Sequence, residues 1–290
     1  LHAVPVGHGE PGAGQWLGHQ PAGSSAPVRP ARGRGRDGRT GWRAQPACVV
    51  LPGSTDDVQA VLRLCLRDGV PFVARGAGTG LSGGALPVAH GIVVSVARLN
   101  RILEVDLESQ RVVVEPGVAN LDVTRAVAAE GYFYAPDPSS QQVCTIGGNL
   151  AENSGGAHCL KHGFTVNHVT GAKVVLPDGE LLELGGKTID GDDGPDLLGV
   201  IVGSEGTLGI AVEVTLRIVR QPEVVVTQLA AFTSVDAAGD AVSRIVAASA
   251  HPRVDLVEPV RGRRPAPDRA AAAPLQLLAQ LRLGDQPRDL

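Results

Sequence analysis

One stretch constrains this chain more than any other. Val73-Ala74-Arg75-Gly76-Ala77-Gly78-Thr79-Gly80-Leu81-Ser82-Gly83-Gly84-Ala85 holds five glycines, one arginine and no acid, directly after the apolar run Pro71-Phe72-Val73-Ala74. Glycine reaches backbone conformations closed to other residues and lets a ligand approach the chain closely. Successive N–H groups in such a loop form a concave anion nest, and a pyrophosphate suits it. The alternative is a flexible surface loop. Gly78-Thr79-Gly80-Leu81-Ser82-Gly83 also fits G-x-G-x-x-G. That motif requires a helix opening at its third glycine and an acid about 20 residues further on. Here Gly84, Pro87 and Gly91 follow, then the strand-like Ile92-Val93-Val94-Ser95-Val96, with Asn100 and Arg101 where the acid belongs. A nicotinamide-binding Rossmann unit is therefore the weakest reading.

Hydrolase readings also lack context. Gly80-Leu81-Ser82-Gly83-Gly84 carries the letters of a nucleophile elbow, but a strand follows it and not a helix. No Walker lysine follows any glycine-rich loop. Cys48, Cys65, Cys144 and Cys159 show no C-x-x-C pair or disulfide-framework spacing, so reduced thiols in a cytoplasmic protein are expected. His158-Cys159-x-x-His162 offers too few ligands for a zinc set, and no metal is expected; the readings left are His162 or His158 near a ring cofactor, or both simply lining the loop. His168, at a strand start, reads as a packed residue. A net charge of −4 gives no push toward nucleic acid, and no apolar run approaches the ~18 residues of a membrane span.

Along the chain, residues 1–44 are Gly/Pro/Arg-rich without apolar period. Their arginines lack the interleaved aromatics of an RNA-binding arm. Order begins at Ala47–Leu51, a strand. Ser54 or Thr55 caps a helix whose buried face is Val58, Val61, Leu62, Cys65 and Leu66, with Gly69 ending it. Strands are expected at 71–74 and 91–96, then a hairpin of 101–106 with 111–115. Asn120 caps a helix to about Glu130, and 135–165 reads as one long loop. Such loops are functional or disordered more often than not. Strands follow at 169–176 and 181–184, a short helix at 196–202, a second glycine-rich loop at 203–209 and a strand at 210–219. A new strand and helix start at Val224 and Asp236, and from Pro252 the text turns to Arg, Pro and Ala, leaving 255–260 and 275–283 as weak apolar patches.

Taken in order, these segments resemble the FAD-binding domain of the PCMH-type, vanillyl-alcohol-oxidase superfamily, and within it the glycolate oxidase flavin subunit and the FAD-linked D-lactate dehydrogenases. The segments that carry the resemblance are Arg75–Gly80 with Ser82-Gly83-Gly84, Val114-Glu115-Pro116-Gly117-Val118, Pro136–Ser140, Cys144–Asn149, Ala151–Gly156, Val175–Gly179 and Gly203–Ile210. The resemblance implies an α+β fold, a two-lobed PCMH-type domain at 45–221, followed by the start of a truncated α+β cap at 222–251. It implies that Arg75, Gly76, Ala77, Gly78, Thr79, Gly80, Ser82 and Gly83 wrap the FAD pyrophosphate. Pro138, Ser139, Ser140, Thr145, Ile146, Gly147, Gly148, Asn149, Ala151, Asn153, Ser154 and Gly155 would line the ribityl chain and ring, and Glu205, Gly206 and Ile210 the adenine end. Thr79 stands where covalent relatives place a flavin-linked histidine, so FAD is expected to be non-covalent.

The implied activity is oxidation of a small 2-hydroxy acid, of the glycolate or D-lactate class, by hydride transfer to flavin N5. The alternatives are a non-catalytic FAD-binding remnant, or a same-fold reductase or sugar-acid oxidase. Iron–sulfur and second flavin subunits are implied partners, with membrane association through them. Catalytic groups are expected in the cap, whose H-G-D-G-N-type segment this sequence lacks. The shared bias of both ends is what GC-rich DNA yields in a wrong frame. The expectation is therefore a fragment, with an irregular leader at 1–44, an irregular tail at 252–290, and uncertain activity as it stands.

Overall fold

The structure is a computed structural model that describes residues 28–29, 45–186, 194–248, 254–260 and 275–283. The first lobe is built on a four-stranded sheet. β1 (Val28–Arg29) pairs antiparallel with β2 (Cys48–Val50); β3 (Phe72–Arg75) and β4 (Ile92–Ser95) join it parallel, in the order β1-β2-β4-β3. Between β2 and β3 runs α1 (Thr55–Asp68), which starts where the Ser54 hydroxyl accepts the Asp57 N–H at 3.1 Å and stops at Gly69, left-handed at φ 63°. Asp56 and Asp57 face the positive end of its dipole. Val58, Val61, Leu62 and Cys65 are fully buried, each contributing roughly 1.5–3 kcal/mol of apolar burial.

The second lobe is an antiparallel five-stranded sheet. Its strands are β5 (Ile102–Asp106) and β6 (Arg111–Val114), which form the expected hairpin, then β8 (Val169–Val175), β9 (Leu181–Gly185) and β10 (Ile210–Arg217). The order is β5-β6-β10-β8-β9. Its inner face packs on α2 (Asn120–Val127) and α3 (Ile146–Glu152), burying Val112, Val114, Val123, Val127, Ile146, Leu150 and Leu216. A separate two-stranded ribbon pairs β7 (Tyr132–Phe133) with β11 (Val219–Arg220), which follows β10 in the chain. The lobes share a seam, because Val175, Ile210 and Val212 belong to the core under α1. Gln59 Nε2 and Arg63 Nη2 both donate to the Gly179 carbonyl at 2.9 Å, which docks α1 on the β8–β9 turn.

Three departures from the sequence reading have physical causes. Within the expected loop 135–165, residues 146–152 form α3. The Thr145 hydroxyl accepts the Gly148 N–H, Asn153 closes the helix at φ 49°, and buried Ile146 and Leu150 repay the poor propensity of Gly147-Gly148-Asn149. Two short helical segments follow, α4 (Cys159–His162) and a 3₁₀ turn at Thr165–Asn167. Asn120 does not cap α2: Ala119 stands at the cap, and the Asn120 amide, 1% exposed, donates instead to the Pro136 carbonyl at 2.9 Å.

The third departure is the tail expected to be irregular from 252. It contains β13 (Val254–Val260) and β14 (Leu275–Leu283), which join β12 (Val224–Phe232) antiparallel in the order β12-β14-β13. Long-range pairing between whole strands overrides weak local pattern here. α6 (Val235–Ala248) packs on β12 and β14. The leader expected to be irregular at 1–44 lies outside the described residues except for Val28–Arg29. α5 (Leu197–Ile201) forms where a short helix was expected, capped by Asp196, whose carboxylate accepts the Gly199 N–H at 2.8 Å.

Candidate cofactor cleft

Between the lobes runs a cleft of about 350 Å³. One wall is the glycine-rich stretch leaving β3: Arg75, Gly76, Ala77, Gly78, Thr79, Gly80 and Ser82 all line it. The Arg75 guanidinium folds back under its own loop and donates to the Ala85 carbonyl at 3.2 Å, so it braces the loop from within. Gly78 takes φ 75° and Gly83 φ 100°, values that favour glycine. The opposite wall is Thr145 and the N-terminal half of α3, with Gly147, Gly148, Asn149 and Ala151, joined by Ser139, Ser140 and Ser154 from the flanking loops. The far end is closed by Glu205, Gly206 and Ile210, at the turn that leads into β10.

The loop lies tightly against that second wall. A Cβ at Gly76 would collide with the Thr145 hydroxyl, and one at Gly80 would stand 2.7 Å from Glu152 Oε1. A Cβ at Gly84 would stand 3.3 Å from Glu205 Oε2. Five residues singled out from the sequence do not line the cleft. Gly83, Pro138, Asn153 and Gly155 sit beside lining residues, and Ile146 points its side chain into the second-lobe core. Gly155 has a packing role of its own, since a Cβ there would press on the Phe164 ring at 2.7 Å.

Sequence reasoning missed Glu152. The Ser82 hydroxyl donates toward both of its carboxylate oxygens, at 2.7 and 2.8 Å, clasping the glycine-rich loop to the end of α3 across 70 residues of chain. The signal was present in the Ala151–Gly156 segment, but an acid beside an anion nest runs against charge expectation. Pro116, Val96 and Leu150 also line the cleft and supply apolar floor.

Polar groups near the cleft divide by burial. Asn149 is 1% exposed, and its side-chain amide faces the Cys144 thiol, a weak acceptor. Burial pushes the Cys144 thiol up, which disfavours the reactive thiolate. His158 Nδ1 lies 2.5 Å from Asp137 Oδ2, while the His162 ring stands edge-on to Phe133. His168 is packed as expected: 3% exposed, edge-on to Tyr134, with Nε2 2.8 Å from the His162 carbonyl. Among the described residues no group of three or more His, Cys, Asp or Glu side chains is placed to hold a metal ion. No helix among them is long and apolar enough to cross a membrane.

Comparison with known proteins agrees with this architecture. The family described as FAD binding domain matches residues 46–185. The glycolate oxidase subunit GlcD of Escherichia coli (strain K12) is 49% identical over 211 residues, 73% of this chain and 42% of that protein. A D-lactate dehydrogenase of Anaerostipes hadrus is 37% identical over 194 residues, 67% of this chain and 41% of that one. A solved structure of alkyldihydroxyacetonephosphate synthase superposes with TM-score 0.64 at 26% identity, covering 72% of this chain and 41% of the other. The chain thus spans less than half the length of these relatives. Residues 46–185 match the FAD binding domain family, the PCMH-type domain whose cofactor is FAD, and the chain is similar there to the glycolate oxidase GlcD subunits and the D-lactate dehydrogenases.

Proposed function

We propose that the cleft between the lobes holds FAD non-covalently, and that the protein oxidises a small 2-hydroxy acid with it. The observation that carries the reading is the cleft itself: the glycine-rich wall, the α3 wall and the Glu205–Ile210 end come from three distant parts of the chain and meet around one space. The residues present fit a dinucleotide. Gly76, Gly80 and Gly84 let the loop close directly on Thr145, Glu152 and Glu205, and a run of side-chain-free residues at the cleft wall suits backbone N–H groups of Arg75–Gly83 to a pyrophosphate. The buried Asn149 amide, whose protein neighbour is the weakly accepting Cys144 thiol, would supply a donor for a polar ring edge. Ser139, Ser140, Thr145 and Ser154 offer short hydroxyls along the same wall. Glu205, Gly206 and Ile210 would serve the adenine end.

Bound there, FAD supplies a two-electron acceptor for the substrate C–H. The chain's own part is to bind the pyrophosphate, orient the ring against α3 and keep water from the seam. Thr79 at the loop and the buried, inert Cys144 offer no group for covalent attachment. The similarity to GlcD, a subunit by name, supports assembly with further subunits, and we infer iron–sulfur and second flavin partners and a cytoplasmic or membrane-associated setting on the strength of that likeness.

Two measurements test the reading. Acid precipitation should leave the yellow colour in the supernatant; a yellow pellet refutes non-covalent binding. Anaerobic mixing of the FAD-loaded chain with glycolate, D-lactate and larger 2-hydroxy acids should bleach the flavin band. FAD binding without bleaching by any of them favours the alternative reading, a cofactor-binding unit without catalysis of its own.

A further inference from the structure

The Ser82–Glu152 clasp puts a carboxylate where a phosphate site ordinarily puts a cation. The Ser82 hydroxyl donates toward both Glu152 oxygens, at 2.7 and 2.8 Å, and a Cβ on Gly80 would come within 2.7 Å of Oε1. The carboxylate therefore lies directly against the glycine-rich wall, and Gly80, Ser82 and Glu152 all line the cleft. A second carboxylate, that of Glu205, lies against the same loop at Gly84 and also lines the cleft. Among the described residues that line it, the side chain of opposite charge is Arg75. Its guanidinium is turned under its own loop: it donates to the Ala85 carbonyl at 3.2 Å, and a Cβ at Gly78 would collide with it. The charged lining is thus net acidic. What attracts phosphate here is a run of backbone N–H groups and a single guanidinium.

Such a wall discriminates by charge. In FAD both phosphates are esterified, so each carries a single charge. A nucleotide that ends in a free phosphate brings a further ionisation, because the second pKa of a phosphomonoester is about 6. A carboxylate a few ångströms away repels that added charge, and more strongly in a cleft than in open water. Backbone N–H groups attract both ligands, so it is the carboxylate that tells them apart.

We propose that Glu152 is a specificity-determining residue of the cleft: it admits a pyrophosphate esterified at both ends and disfavours a nucleotide that ends in a free phosphate. The proposal rests on the FAD reading above. Ser82 keeps the charge at the wall, since its hydroxyl reaches both carboxylate oxygens.

The test uses the full chain loaded with FAD, at pH 8 without divalent cations, and follows flavin fluorescence as ADP-ribose or ADP displaces the cofactor. The two competitors share adenine, ribose and pyrophosphate; the outer phosphate carries a sugar ester in one and is free in the other. Wild type should prefer ADP-ribose. Glu152→Gln keeps an acceptor for the Ser82 hydroxyl but loses the charge, and should cut that preference about tenfold, chiefly by tightening ADP. Glu152→Asp keeps the charge and should keep most of the preference. Added salt should narrow the preference of wild type more than that of E152Q. Equal preferences in wild type and E152Q overturn the proposal. So does a uniform tightening of both competitors in E152Q, which would make Glu152 a plug that the ligand displaces. Failure of ADP-ribose to displace FAD places the pyrophosphate elsewhere, and failure of E152Q to fold makes the clasp structural alone; either result overturns the proposal while the FAD reading stands. A wild type that takes up no FAD overturns the cofactor reading and this proposal with it.

Discussion

The floor of the cleft offers a paired test of how its two walls are set. Gly147 and Gly148 occupy neighbouring positions in the first turn of α3. Either one changed to alanine gains up to about 1 kcal/mol of helix propensity. Their surroundings differ. A Cβ at Gly148 would meet only the Thr145 hydroxyl, at 3.4 Å, an ordinary contact. A Cβ at Gly147 would stand 2.7 Å from Pro116 Cβ and 3.1 Å from the Pro116 carbonyl oxygen. Neither Pro116 atom is the end of a flexible chain. The Gly147 N–H donates to that same carbonyl at 2.8 Å, so the helix cannot retreat without losing the bond. Pro116 is pinned from both sides: buried Glu115 accepts from the Arg101 backbone N–H at 2.7 Å and from its guanidinium at 2.7 Å, and the Gly117 N–H donates to the Leu99 carbonyl at 2.6 Å. Overpacking a fixed site costs about 1–3 kcal/mol. G148A should therefore be neutral or stabilised by up to about 1 kcal/mol, and G147A destabilised by about 1–2 kcal/mol after its propensity gain. The gap of about 2 kcal/mol corresponds to roughly 4–8 °C in Tm for a domain of this size. Thermal unfolding of the FAD-free chain followed by circular dichroism measures it. Equal Tm values for G147A and G148A would refute the claim that Pro116 sets the height of α3.

Three further outcomes follow from particular groups. Asn149→Leu removes a buried amide whose protein partner is only the weakly accepting Cys144 thiol, so the FAD-free chain should keep its stability to within about 1 kcal/mol, whereas FAD binding should weaken about tenfold or more, read by flavin fluorescence titration; a chain that loses stability and keeps its FAD affinity contradicts the assignment. Burial holds the His168 imidazole below its usual 6.5. Between its folded value and 6.5 the unfolded chain binds more protons, so stability should fall as pH drops below about 6.5 and level off beneath the folded value; a Tm as high at pH 5 as at pH 7.5, with no difference from His168→Gln in slope, counts against it. Ser54→Ala removes the oxygen that accepts the Asp57 N–H and should cost about 1 kcal/mol by urea unfolding, with no change in FAD affinity.

What the sequence disclosed depended on how local the cause was. α1 was legible because its cap, apolar stripe and terminal glycine all lie within sixteen residues, Ser54 to Gly69, with one error: Leu66, expected on the buried face, is exposed on the last turn. The hairpin of β5 and β6 was legible for the same reason. α3 was not, because Gly147, Gly148 and Asn149 argue locally against a helix, and what stabilises it is remote: the Pro116 carbonyl, and the second-lobe core into which Ile146 and Leu150 insert. β13 and β14 were visible only as weak apolar patches, because the pairing of β14 with β12 and with β13 is the source of their order. The candidate site shows the same division. Its glycine-rich wall was visible as composition, since a nest is a property of consecutive residues. Its clasp was not, since Ser82 and Glu152 meet through the fold alone. The contact of Asp137 with His158 belongs with the clasp: the two stand 21 residues apart and meet through the fold, where Gly156 leaves room for Asp137. Groups that bind by backbone are written in runs, and groups that act by side chain are assembled by topology. That is why the glycine-rich wall could be read from its letters, and why the Ser82–Glu152 clasp had to wait for the fold.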